Sequence, residues 1–468
     1  MAARGKVKEY DALVIGAGVG LNVVFKAAGA GLKVALVNKD HLGGTCLNAG
    51  CVPSKILTYP ADRIREIEEA GRIGIEARVE QIDFSSIMAR MNKARRHGRD
   101  LLREEIEKDA NIDYYPAPVH FTEPYTLQVE GQFEGRRIRG KKVFIASGSR
   151  PAVPPIKGLE ETGYLTNETV LEIKKPPESV IIIGGGYIAA EYAHFFSSMG
   201  ARVTILEAGQ NLISQEEPEI IRAFEAGISR YAEVDKGVKA ARTGKNREAT
   251  GVFVIAAGGR DEERKFTAET LMVAAGRRSN ADLIKAENAG VRTGREGYIL
   301  VDDGLLTDME DTWAFGDAVG RRMFTHAGDK EAQIAWHNAT HEKKNKKSMN
   351  WDAVPHVIFS HPQVAGVGLT ERQARERLGG EVLVGMASYS DVAKGIAMQE
   401  KEGFAKAIAD KKTKKLIGFH ILGPLAGLLI QEAVNTIANG GETGYITESM
   451  HTFPELSELI PEALARLK

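Results

Sequence analysis

The chain has 468 residues, of which 43% are hydrophobic and 27% charged, and its formal net charge is −1. This composition is typical of a globular protein with roughly two to four domains. The balanced charge provides no general attraction to nucleic acid or to a membrane surface. The longest apolar runs are too short to span a bilayer, and the N-terminal residues lack a secretory apolar core. We therefore expect a cytoplasmic protein without nucleic-acid or membrane partners.

The first patterned segment, residues 10–40, reads "YDALVIGAGVGLNVVFKAAGAGLKVALVNKD" and predicts a strand, a glycine turn, a helix and a second strand. Gly16 and Gly18 permit a tight turn and close approach to a pyrophosphate at a helix N-terminus. Leu21 occupies the third glycine position. Asn38 closes the second strand and can bind a ribose hydroxyl, but without charge assistance. The alternatives are a plain glycine turn and a solvated strand end.

The next segment, "GGTCLNAGCVPSK" at residues 43–55, holds the only two cysteines of the chain, Cys46 and Cys51. Structural disulfides are rare in the cytosol, and two cysteines cannot staple a fold of this size. Zinc needs four ligands, and the chain has no second cysteine pair. The pair therefore favours a redox or nucleophilic role, with a zinc half-site or two buried core thiols as alternatives.

The stretch between residues 60 and 110 alternates apolar and charged residues at helical spacing. Its "ARRHGR" cluster is more typical of a solvated helix face than of a nucleic-acid site. Residues 143–158, "VFIASGSRPAVPPIKG", end a strand in glycine and proline and indicate a crossover between domains.

Residues 179–209, "SVIIIGGGYIAAEYAHFFSSMGARVTILEAG", repeat the plan of the first segment. Gly184 and Gly186 correspond to the first two glycines, and Ala189 takes the third position. Glu207 closes the second strand. A carboxylate there accepts hydrogen bonds from a ribose 2′-hydroxyl and repels a 2′-phosphate, which favours NAD over NADP, although a solvated strand end is again an alternative. Two such units predict two bound dinucleotides.

The remaining segments have weaker signals. Residues 210–265 are mixed and polar without a clear motif, and residues 341–350, "HEKKNKKSMN", indicate a basic surface link. The last third, from "PHVIFSHPQVAGVGLTE" onward, predicts strands and helices without a nucleotide fingerprint. It is expected to form a separate α+β domain.

Taken together, the motifs resemble those of the flavin-dependent pyridine nucleotide–disulfide oxidoreductases. The resemblance is strongest to dihydrolipoamide dehydrogenases, with mercuric and glutathione reductases more distant. It rests on "VIGAGVG", "GGTCLNAGCVPSK", "ASGSRP", "IIIGGGYIAAE", "VAAGRRSN", "FGDAVG", "FTHAGDKEA", "FSHPQVAGVGLTE" and "FPELSE". The cysteine motif followed by Pro-Ser-Lys is the most specific of these.

The resemblance implies an α/β fold with two Rossmann-like domains and a C-terminal α+β dimerisation domain. An FAD domain would take residues 1–150 and 276–350, an NAD(P) domain residues 151–275, and a dimerisation domain residues 351–468. The implied protein is a homodimer that uses FAD and prefers NAD(H) to NADP(H).

The same resemblance assigns the cofactor-binding residues. Asp317 would bind the ribityl hydroxyls of the flavin, and residues 323–326 would lie along its ring. The implied FAD residues are Gly16, Gly18, Asn38, Gly44, Thr45, Lys55, Ser147, Gly148, Asp317, Met323, Phe324 and His326. The implied NAD residues are Gly184, Gly186, Glu191, Glu207 and Gly276.

For catalysis, the resemblance implies that hydride passes from NADH through the flavin to a disulfide between Cys46 and Cys51, a pair one helical turn apart. Cys46 would be the outer thiol that exchanges with substrate, and Cys51 the inner thiolate beside the flavin. Lys55 would stabilise negative charge on the reduced flavin. Glu191 would be the partner that keeps this lysine charged.

One departure from the family pattern concerns the substrate. Dihydrolipoamide dehydrogenases end with a His-Pro pair whose histidine is the base, oriented by a following glutamate. Here the segment is "SMHTFPELSEL", so Phe453 precedes Pro454, and Glu458 fits the orienting glutamate. His451 matches a histidine that is not the base. Because a well-placed base typically contributes about 10²–10⁴-fold in rate, we expect weak or absent dihydrolipoamide dehydrogenase activity.

Three functions remain open. The first is an NADH-dependent reductase of a small thiol or disulfide that does not need the histidine. The second is reduction of a metal–thiolate such as Hg(II), because mercuric reductases have tyrosine at this position; they normally also carry a C-terminal cysteine pair, and this chain ends "EALARLK". The third is a flavin- and NAD-binding protein with only a diaphorase or assembly role. No resident metal is expected in any of the three.

Overall fold

The computed structural model describes residues 7–246, 251–258 and 262–468. The chain divides into two compact units, and one division point falls between Ser54 and Lys55. Residues 1–6, part of the segment inspected for a secretory signal, lie outside the described residues. Among the described residues, no helix is both long enough and apolar enough to cross a membrane.

The strands are short to medium in length and are distributed over the whole chain. They are β1 Val7–Ile15, β2 Val34–Val37, β3 Ile112–Tyr115, β4 Val119–Glu123, β5 Thr126–Val129, β6 Arg137–Ile145, β7 Ser149–Pro151, β8 Ser179–Ile183, β9 Arg202–Glu207, β10 Glu233–Lys236, β11 Lys239–Lys245, β12 Val252–Ala257, β13 Glu263–Ala268, β14 Thr270–Val273, β15 Arg277–Ser279, β16 Thr312–Ala314, β17 His356–Ile358, β18 Val364–Gly368, β19 Val382–Ser388, β20 Phe404–Asp410 and β21 Leu416–Leu422.

The helices lie between these strands along the chain, and in places several helices follow one another. They are α1 Leu21–Gly29, α2 Gly44–Ala49, α3 Cys51–Glu69, α4 Phe84–Lys108, α5 Leu159–Thr162, α6 Tyr187–Ser198, α7 Pro218–Ile228, α8 Thr325–Thr340, α9 Glu371–Leu378, α10 Ala393–Ala397, α11 Ala426–Ala438, α12 Gly444–Thr447 and α13 Leu459–Ala465.

The first unit contains the described residues among 1–54, 89–152 and 277–349. Its main sheet has the order β3-β2-β1-β6-β5-β4, and β16 also pairs with β6. Strands β1, β2, β3, β6 and β16 pair in parallel, whereas β4 and β5 form an antiparallel extension. The β1-α1-β2 segment is the first predicted strand–helix–strand unit, and its β2 strand is buried along its whole length.

The second unit contains the described residues among 55–88, 153–276 and 350–468. Its parallel sheet has the order β10-β9-β8-β14, and β8-α6-β9 is the second predicted strand–helix–strand unit. A three-stranded antiparallel sheet, β11-β12-β13, occupies part of the region without a clear motif. The C-terminal part has a five-stranded antiparallel sheet in the order β17-β18-β21-β20-β19, with helices α11 and α13 packed on it.

The fold class predicted from the sequence is confirmed. Each glycine fingerprint lies between two parallel strands, and the C-terminal part is an α+β arrangement with its own buried apolar cluster. Each strand–helix–strand unit also contributes to a separate apolar cluster. The three domains and their boundaries given above remain a prediction.

Candidate active site

The first glycine turn follows β1. Gly16 has φ +105°, and a Cβ built on it would lie 2.1 Å from the carbonyl oxygen of Ala146. Only glycine fits this position, because both the backbone angle and the neighbouring strand exclude a side chain. Gly44, the first residue of α2, approaches Gly18 so closely that a Cβ on it would lie 2.6 Å from the Gly18 Cα. Thr45 follows Gly44 on α2. The turn is therefore formed by backbone atoms, with no side chain at Gly16, Gly18 or Gly44.

Asn38 lies at the end of β2, beside this turn. Its Oδ1 accepts a hydrogen bond from the backbone N–H of Ala17 at 3.1 Å. Its Nδ2 donates to the carbonyl oxygens of Asp40 at 2.6 Å and His41 at 3.3 Å. The amide therefore fixes the loop after β2 and presents no formal charge at the strand end.

Asp317 and Ser147 are two of the predicted FAD-binding residues, and both lie in the first unit. The hydroxyl of Ser149 donates to Asp317 Oδ2 at 2.6 Å, and Arg277 Nε lies 3.6 Å from the same oxygen. Ser147 is followed by Gly148, which has φ +71°. The Ser147 hydroxyl oxygen is buried and has no hydrogen-bond partner among the described residues. A buried hydroxyl of this kind can be satisfied by a hydrogen bond to a bound ligand.

Three more predicted FAD-binding residues, Met323, Phe324 and His326, lie at the start of α8. The Tyr298 hydroxyl donates to Met323 Sδ at 3.7 Å. The rings of Phe324 and His326 stack with centroids 5.6 Å apart. Helix α8 begins between them, at Thr325.

The two cysteines lie on consecutive helices. Cys46 is in α2, and Cys51 is the first residue of α3. The expectation of a pair one turn apart on a helix is wrong in this respect, because the helix is interrupted at Gly50, with φ −135° and ψ −118°. The side chains of Cys46 and Cys51 nevertheless form a hydrogen bond. The Cys51 sulfur also lies 3.4 Å from the hydroxyl oxygen of Thr325.

The two sulfurs differ in environment. Cys51 is exposed, whereas Cys46 is partly buried. The hydrogen bond to Cys51 raises the pKa of the Cys46 thiol far above its ordinary value, and burial and the negative charge of Cys51 add to this effect. Because a thiolate is the reactive form of cysteine, the pair is chemically asymmetric.

The second glycine turn, after β8, reproduces the first. Gly184 has φ +112°, and a Cβ on it would lie 2.4 Å from the carbonyl oxygen of Ala274. Gly186 precedes the first residue of α6 and has open space around its Cβ position. Gly276 also has φ +112°, three residues after β14. Glu207 ends β9.

The Glu207 carboxylate accepts hydrogen bonds from the backbone N–H groups of Gly185 and Gly209, both at 2.5 Å. These two bonds hold the carboxylate at the glycine turn. The carboxyl group predicted to bind a ribose is therefore fixed in orientation at the end of β9.

Lys55 and Glu191 are brought together in the second unit. Lys55 lies on α3, four residues after Cys51, and its Nζ donates to both carboxylate oxygens of Glu191 on α6, at 2.7 and 2.9 Å. The backbone N–H of Phe359 also donates to Glu191, at 3.2 Å. The lysine Nζ lies 4.3 Å from the centroid of the Phe359 ring. This is a paired and shielded cation.

The C-terminal segment has no histidine at the expected position. Phe453 is 74% exposed, so an apolar ring takes the place where the resemblance implies a base. Glu458 Oε2 is buried without a hydrogen-bond partner among the described residues. His451 Nε2 lies 3.0 Å from Glu432 Oε1. Within the described ranges, no group of three or more His, Cys, Asp or Glu side chains could hold a metal ion.

Two family models match this chain. The model for pyridine nucleotide-disulphide oxidoreductase matches residues 10–339, and the model for the dimerisation domain of the same family matches residues 354–464.

The chain belongs to the pyridine nucleotide-disulphide oxidoreductase family. Several of its relatives have curated names. A mycothione reductase of Mycobacterium tuberculosis is 32% identical, over 99% of this chain and 100% of that protein. A mercuric reductase of Lysinibacillus sphaericus is 32% identical, over 96% of this chain and 81% of that protein. A dihydrolipoyl dehydrogenase of Bacillus subtilis is 32% identical, over 97% of each chain.

Solved structures give the same result. The Cu(II) complex of the HOCl-induced flavoprotein disulfide reductase RclA from Escherichia coli has a TM-score of 0.86 and 27% identity. The match covers 98% of this chain and 99% of that chain. The resemblance expected from the motifs is therefore confirmed at the level of the family, and the chain is a flavoprotein disulfide oxidoreductase.

Members of this oxidoreductase family use FAD and NAD(P)H. The residues of the first unit fit FAD, because the buried Ser147 hydroxyl has no partner within the described part of the chain and the Gly16 turn has no side chain to keep a pyrophosphate away from the backbone. The residues of the second unit fit a nicotinamide dinucleotide, because Gly186 is open and Glu207 is held at the turn.

The sequence did not single out two residues of the candidate site. Thr325 lies within residues 323–326, the segment expected along the flavin ring, but its contact with Cys51 was not predicted; a hydroxyl residue at the start of a helix is a signal that could have singled it out. Phe359 contacts Glu191 through its backbone N–H, which no side-chain pattern reveals.

Proposed function

We propose that the chain is an NADH-dependent flavoprotein reductase in which Cys46 and Cys51 form the redox-active pair. The observation that carries the proposal is the hydrogen-bonded contact of these two side chains at the start of α3. Thiols in contact need little movement to close a disulfide, and a helix N-terminus favours a thiolate at Cys51. The same proposal includes a homodimer, a cytoplasmic location and a preference for NADH.

Bound FAD would take a hydride from the nicotinamide and reduce the cysteine pair. The residues of the chain set the conditions for this transfer. Glu191 and the Phe359 ring hold Lys55 in place, and the lysine would stabilise negative charge on the reduced flavin. The carboxylate of Glu207 supports NADH, because it would repel a 2′-phosphate.

The substrate class follows from Phe453. An aromatic ring accepts no proton, so the proposed substrate is a small disulfide whose reduction does not depend on a base at this position. The partnerless Glu458 oxygen supports this reading, since a carboxylate that could orient an imidazole is present while the imidazole is absent.

A second candidate is reduction of a metal–thiolate. Here too Phe453 is the observation in favour, because metal exchange between thiolates needs no protein base to protonate a leaving group. One relative is named mercuric reductase, and the RclA structure is a Cu(II) complex. Hg(II) and Cu(II) are therefore the metal ions to test as substrates. A diaphorase or assembly role is the remaining alternative.

The experiment is an anaerobic NADH titration of the purified protein, followed by absorbance. We expect a long-wavelength band after two electrons, produced by a Cys51 thiolate beside the flavin. C51S should lack the band throughout, whereas C46S, which cannot form the disulfide, should show it before NADH is added and lose it when the flavin is reduced; the two variants are a matched pair. Bleaching of the flavin without this band would favour the diaphorase role instead.

A second experiment tests the substrate class through F453H. We expect the wild type to oxidise dihydrolipoamide poorly and F453H to gain about 10²-fold or more, in line with the usual contribution of a positioned base. F453L is the control, because leucine cannot accept a proton. Fast turnover by the wild type, unchanged in F453H, would remove the argument from Phe453. Parallel assays with disulfides, Hg(II) and Cu(II) separate the two candidate substrates.

A further inference from the structure

Residues 212–217, which we call the supporting segment, lie between β9 and α7 and contact the second glycine turn. The backbone N–H of Ile213 donates to the carbonyl oxygen of Gly185 at 2.8 Å. The hydroxyl of Tyr187, the first residue of α6, donates to Glu216 Oε1 at 2.5 Å. The supporting segment therefore holds both the turn and the first residue of the helix that follows it.

Gly185 is held through both of its backbone groups. Its N–H donates to Glu207, and its carbonyl oxygen accepts from Ile213. Ile213 is buried and has a φ of +40°, which is rare for a β-branched residue. Such strained conformations persist where the surrounding structure determines them, and they cluster at functional sites. The strain at Ile213 is therefore a reason to assign a functional role to this contact.

A row of polar side chains crosses one face of the C-terminal sheet. The opposite positions on strands β17, β18, β21 and β20 are His356, Gly366, His420 and Lys406. Residues directly opposite each other lie on the same face of a sheet. A Cβ on Gly366 would lie 2.6 Å from His356 Cε1 and 2.8 Å from His420 Nδ1, so glycine leaves room for both rings. We call the side chains of His356, His420 and Lys406 the polar row.

Glu216 connects the supporting segment to the polar row. It is buried, and its carboxylate lies 2.9 Å from His356 Nε2. Burial favours the neutral form of Glu216, but His356 and Tyr187 outweigh burial and hold its pKa below the ordinary value. The ring of His356 also stacks on that of Tyr187, with centroids 5.8 Å apart. Glu216 is therefore fixed between the C-terminal sheet and the start of α6.

The neighbouring residue, Glu217, makes a second connection. It is buried, and its Oε2 accepts a hydrogen bond from Lys406 Nζ at 2.6 Å. Lys406 is also buried, and its Nζ lies 2.7 Å from Glu371 and 3.1 Å from Glu219. Buried charges need such partners, and the removal of one partner is strongly destabilising. The supporting segment is therefore coupled to the polar row at two consecutive residues.

We propose that Glu216 and His356 are positioning residues for the pyridine dinucleotide at the second glycine turn. His356 orients the Glu216 carboxylate, and this carboxylate orients Tyr187 at the start of α6. The free backbone N–H groups at such a turn bind a pyrophosphate, so their placement sets the affinity for the dinucleotide. This inference rests on the proposed binding of NADH by the second unit and adds a residue of the C-terminal sheet to it.

The first test replaces His356 in two ways. H356F keeps a ring beside Tyr187 but cannot donate to Glu216, whereas H356Q offers an amide Nε2 as donor. Calorimetry measures the dissociation constant for NAD⁺, which does not reduce the flavin, and assays with ferricyanide as electron acceptor give kcat and KM for NADH. We expect H356F to raise the dissociation constant and KM about threefold to tenfold, the effect of one hydrogen bond, with kcat changed less than about twofold. H356Q should stay close to wild type.

The matched control is H120F, which breaks another His–Glu contact. His120 Nδ1 lies 2.7 Å from Glu130 Oε1 in the first unit. H120F should leave NAD⁺ binding unchanged. FAD content and melting temperature are measured for every variant. If H356F lowers the melting temperature but binds NAD⁺ as the wild type does, His356 has only a structural role and the inference is overturned.

Y187F tests the same contacts and removes only one hydroxyl, so it remains informative if H356F does not fold. We expect Y187F to weaken NAD⁺ binding by a similar factor. In the Y187F background, H356F should weaken binding by less than about twofold, because both changes act through Glu216. Full additivity of the two effects, or wild-type affinity in Y187F, would contradict the role of Glu216.

G184A separates the inference from the function. If G184A lowers the affinity for NAD⁺ while H356F and Y187F do not, the second unit still binds the dinucleotide and only the inference fails. If G184A binds NAD⁺ as well as the wild type does, the assignment of the dinucleotide to the second unit fails, and the inference fails with it.

Discussion

The two strand–helix–strand units share a backbone plan and differ at one polar side chain. In both, the first glycine has a φ above +100°, and a Cβ built on it would meet the carbonyl oxygen of the alanine that follows a neighbouring strand. Asn38 follows the last residue of the second strand in the first unit, and Glu207 is the last residue of the second strand in the second unit. Both side chains accept a hydrogen bond from the backbone of the glycine turn.

The two side chains differ in formal charge and in the other hydrogen bonds that they form. Asn38 uses its NH₂ group on two carbonyls of its own loop and has no formal charge. Glu207 has a carboxyl group instead, which accepts hydrogen bonds from two backbone N–H groups of the turn. The proposed function gives one dinucleotide to each unit, and it attributes the preference for each ribose to the side chain at this position.

The largest expected effect comes from replacing the first glycine of each turn, which the two units share. In G16A and G184A the new Cβ would lie 2.1 and 2.4 Å from a carbonyl oxygen, at φ angles that disfavour alanine. We expect a loss of roughly 1–3 kcal/mol from overpacking in each, with about 1–3 kcal/mol more from backbone strain. G16A should lose FAD and colour. G184A should keep FAD and bind NADH weakly, as measured by absorbance and by NADH titration.

The controls are G29A and G71A, two glycines without positive φ and with no atom within 4 Å of a built Cβ. They should retain both cofactors. If G184A lost FAD as completely as G16A, the assignment of one dinucleotide to each unit would be wrong.

The next effect contrasts a buried carboxylate in each unit. Burial raises the pKa of Glu331 in the first unit to about 7, and nearby Asp317 adds to this. In the second unit burial favours neutral Glu216, but His356 and Tyr187 outweigh burial and hold its pKa below the ordinary value. The two carboxylates therefore contribute to stability with opposite pH dependence.

Glu331 binds its proton more tightly in the folded state. Its contribution to stability is full below pH 4.5, the ordinary value, and is lost as the pH rises through about 7. E331Q, which cannot ionise, should gain roughly 2–3 kcal/mol relative to wild type between pH 5 and pH 8. Melting temperatures across this range measure the gain. E216Q should instead be less stable than wild type at pH 7, and a flat difference for E331Q would contradict the raised pKa.

The smallest expected effect concerns Glu207 and Asn38, the two polar side chains at the ends of the second strands. E207Q removes the charge but keeps an acceptor, so we expect NADH kcat/KM to fall about tenfold, as for a lost charge-assisted hydrogen bond. The preference for NADH over NADPH should narrow at the same time. N38A should weaken FAD retention by only about 1 kcal/mol, because a neutral hydrogen bond is lost. A wild-type protein that prefers NADPH would overturn the role given to Glu207.

The sequence by itself determined the parts of this protein that depend on local pattern. Glycine spacing between apolar runs located both dinucleotide units, since a tight turn at a parallel strand end needs glycine wherever it occurs. The cysteine motif identified the proposed redox pair, and the lack of histidine at Phe453 is visible in the sequence alone. The pairing of Lys55 with Glu191 was expected from family motifs, although 136 residues separate them.

Only the tertiary structure decided the environment of each functional group. It showed that α2 and α3 are separate helices broken at Gly50, and that Thr325, 274 residues from Cys51, contacts its sulfur. It also buried Glu331 at the Gly316 turn. Burial and contacts between distant segments control the pKa of a thiol or a carboxylate. These quantities depend on how strands and helices pack, which residue order and spacing do not specify.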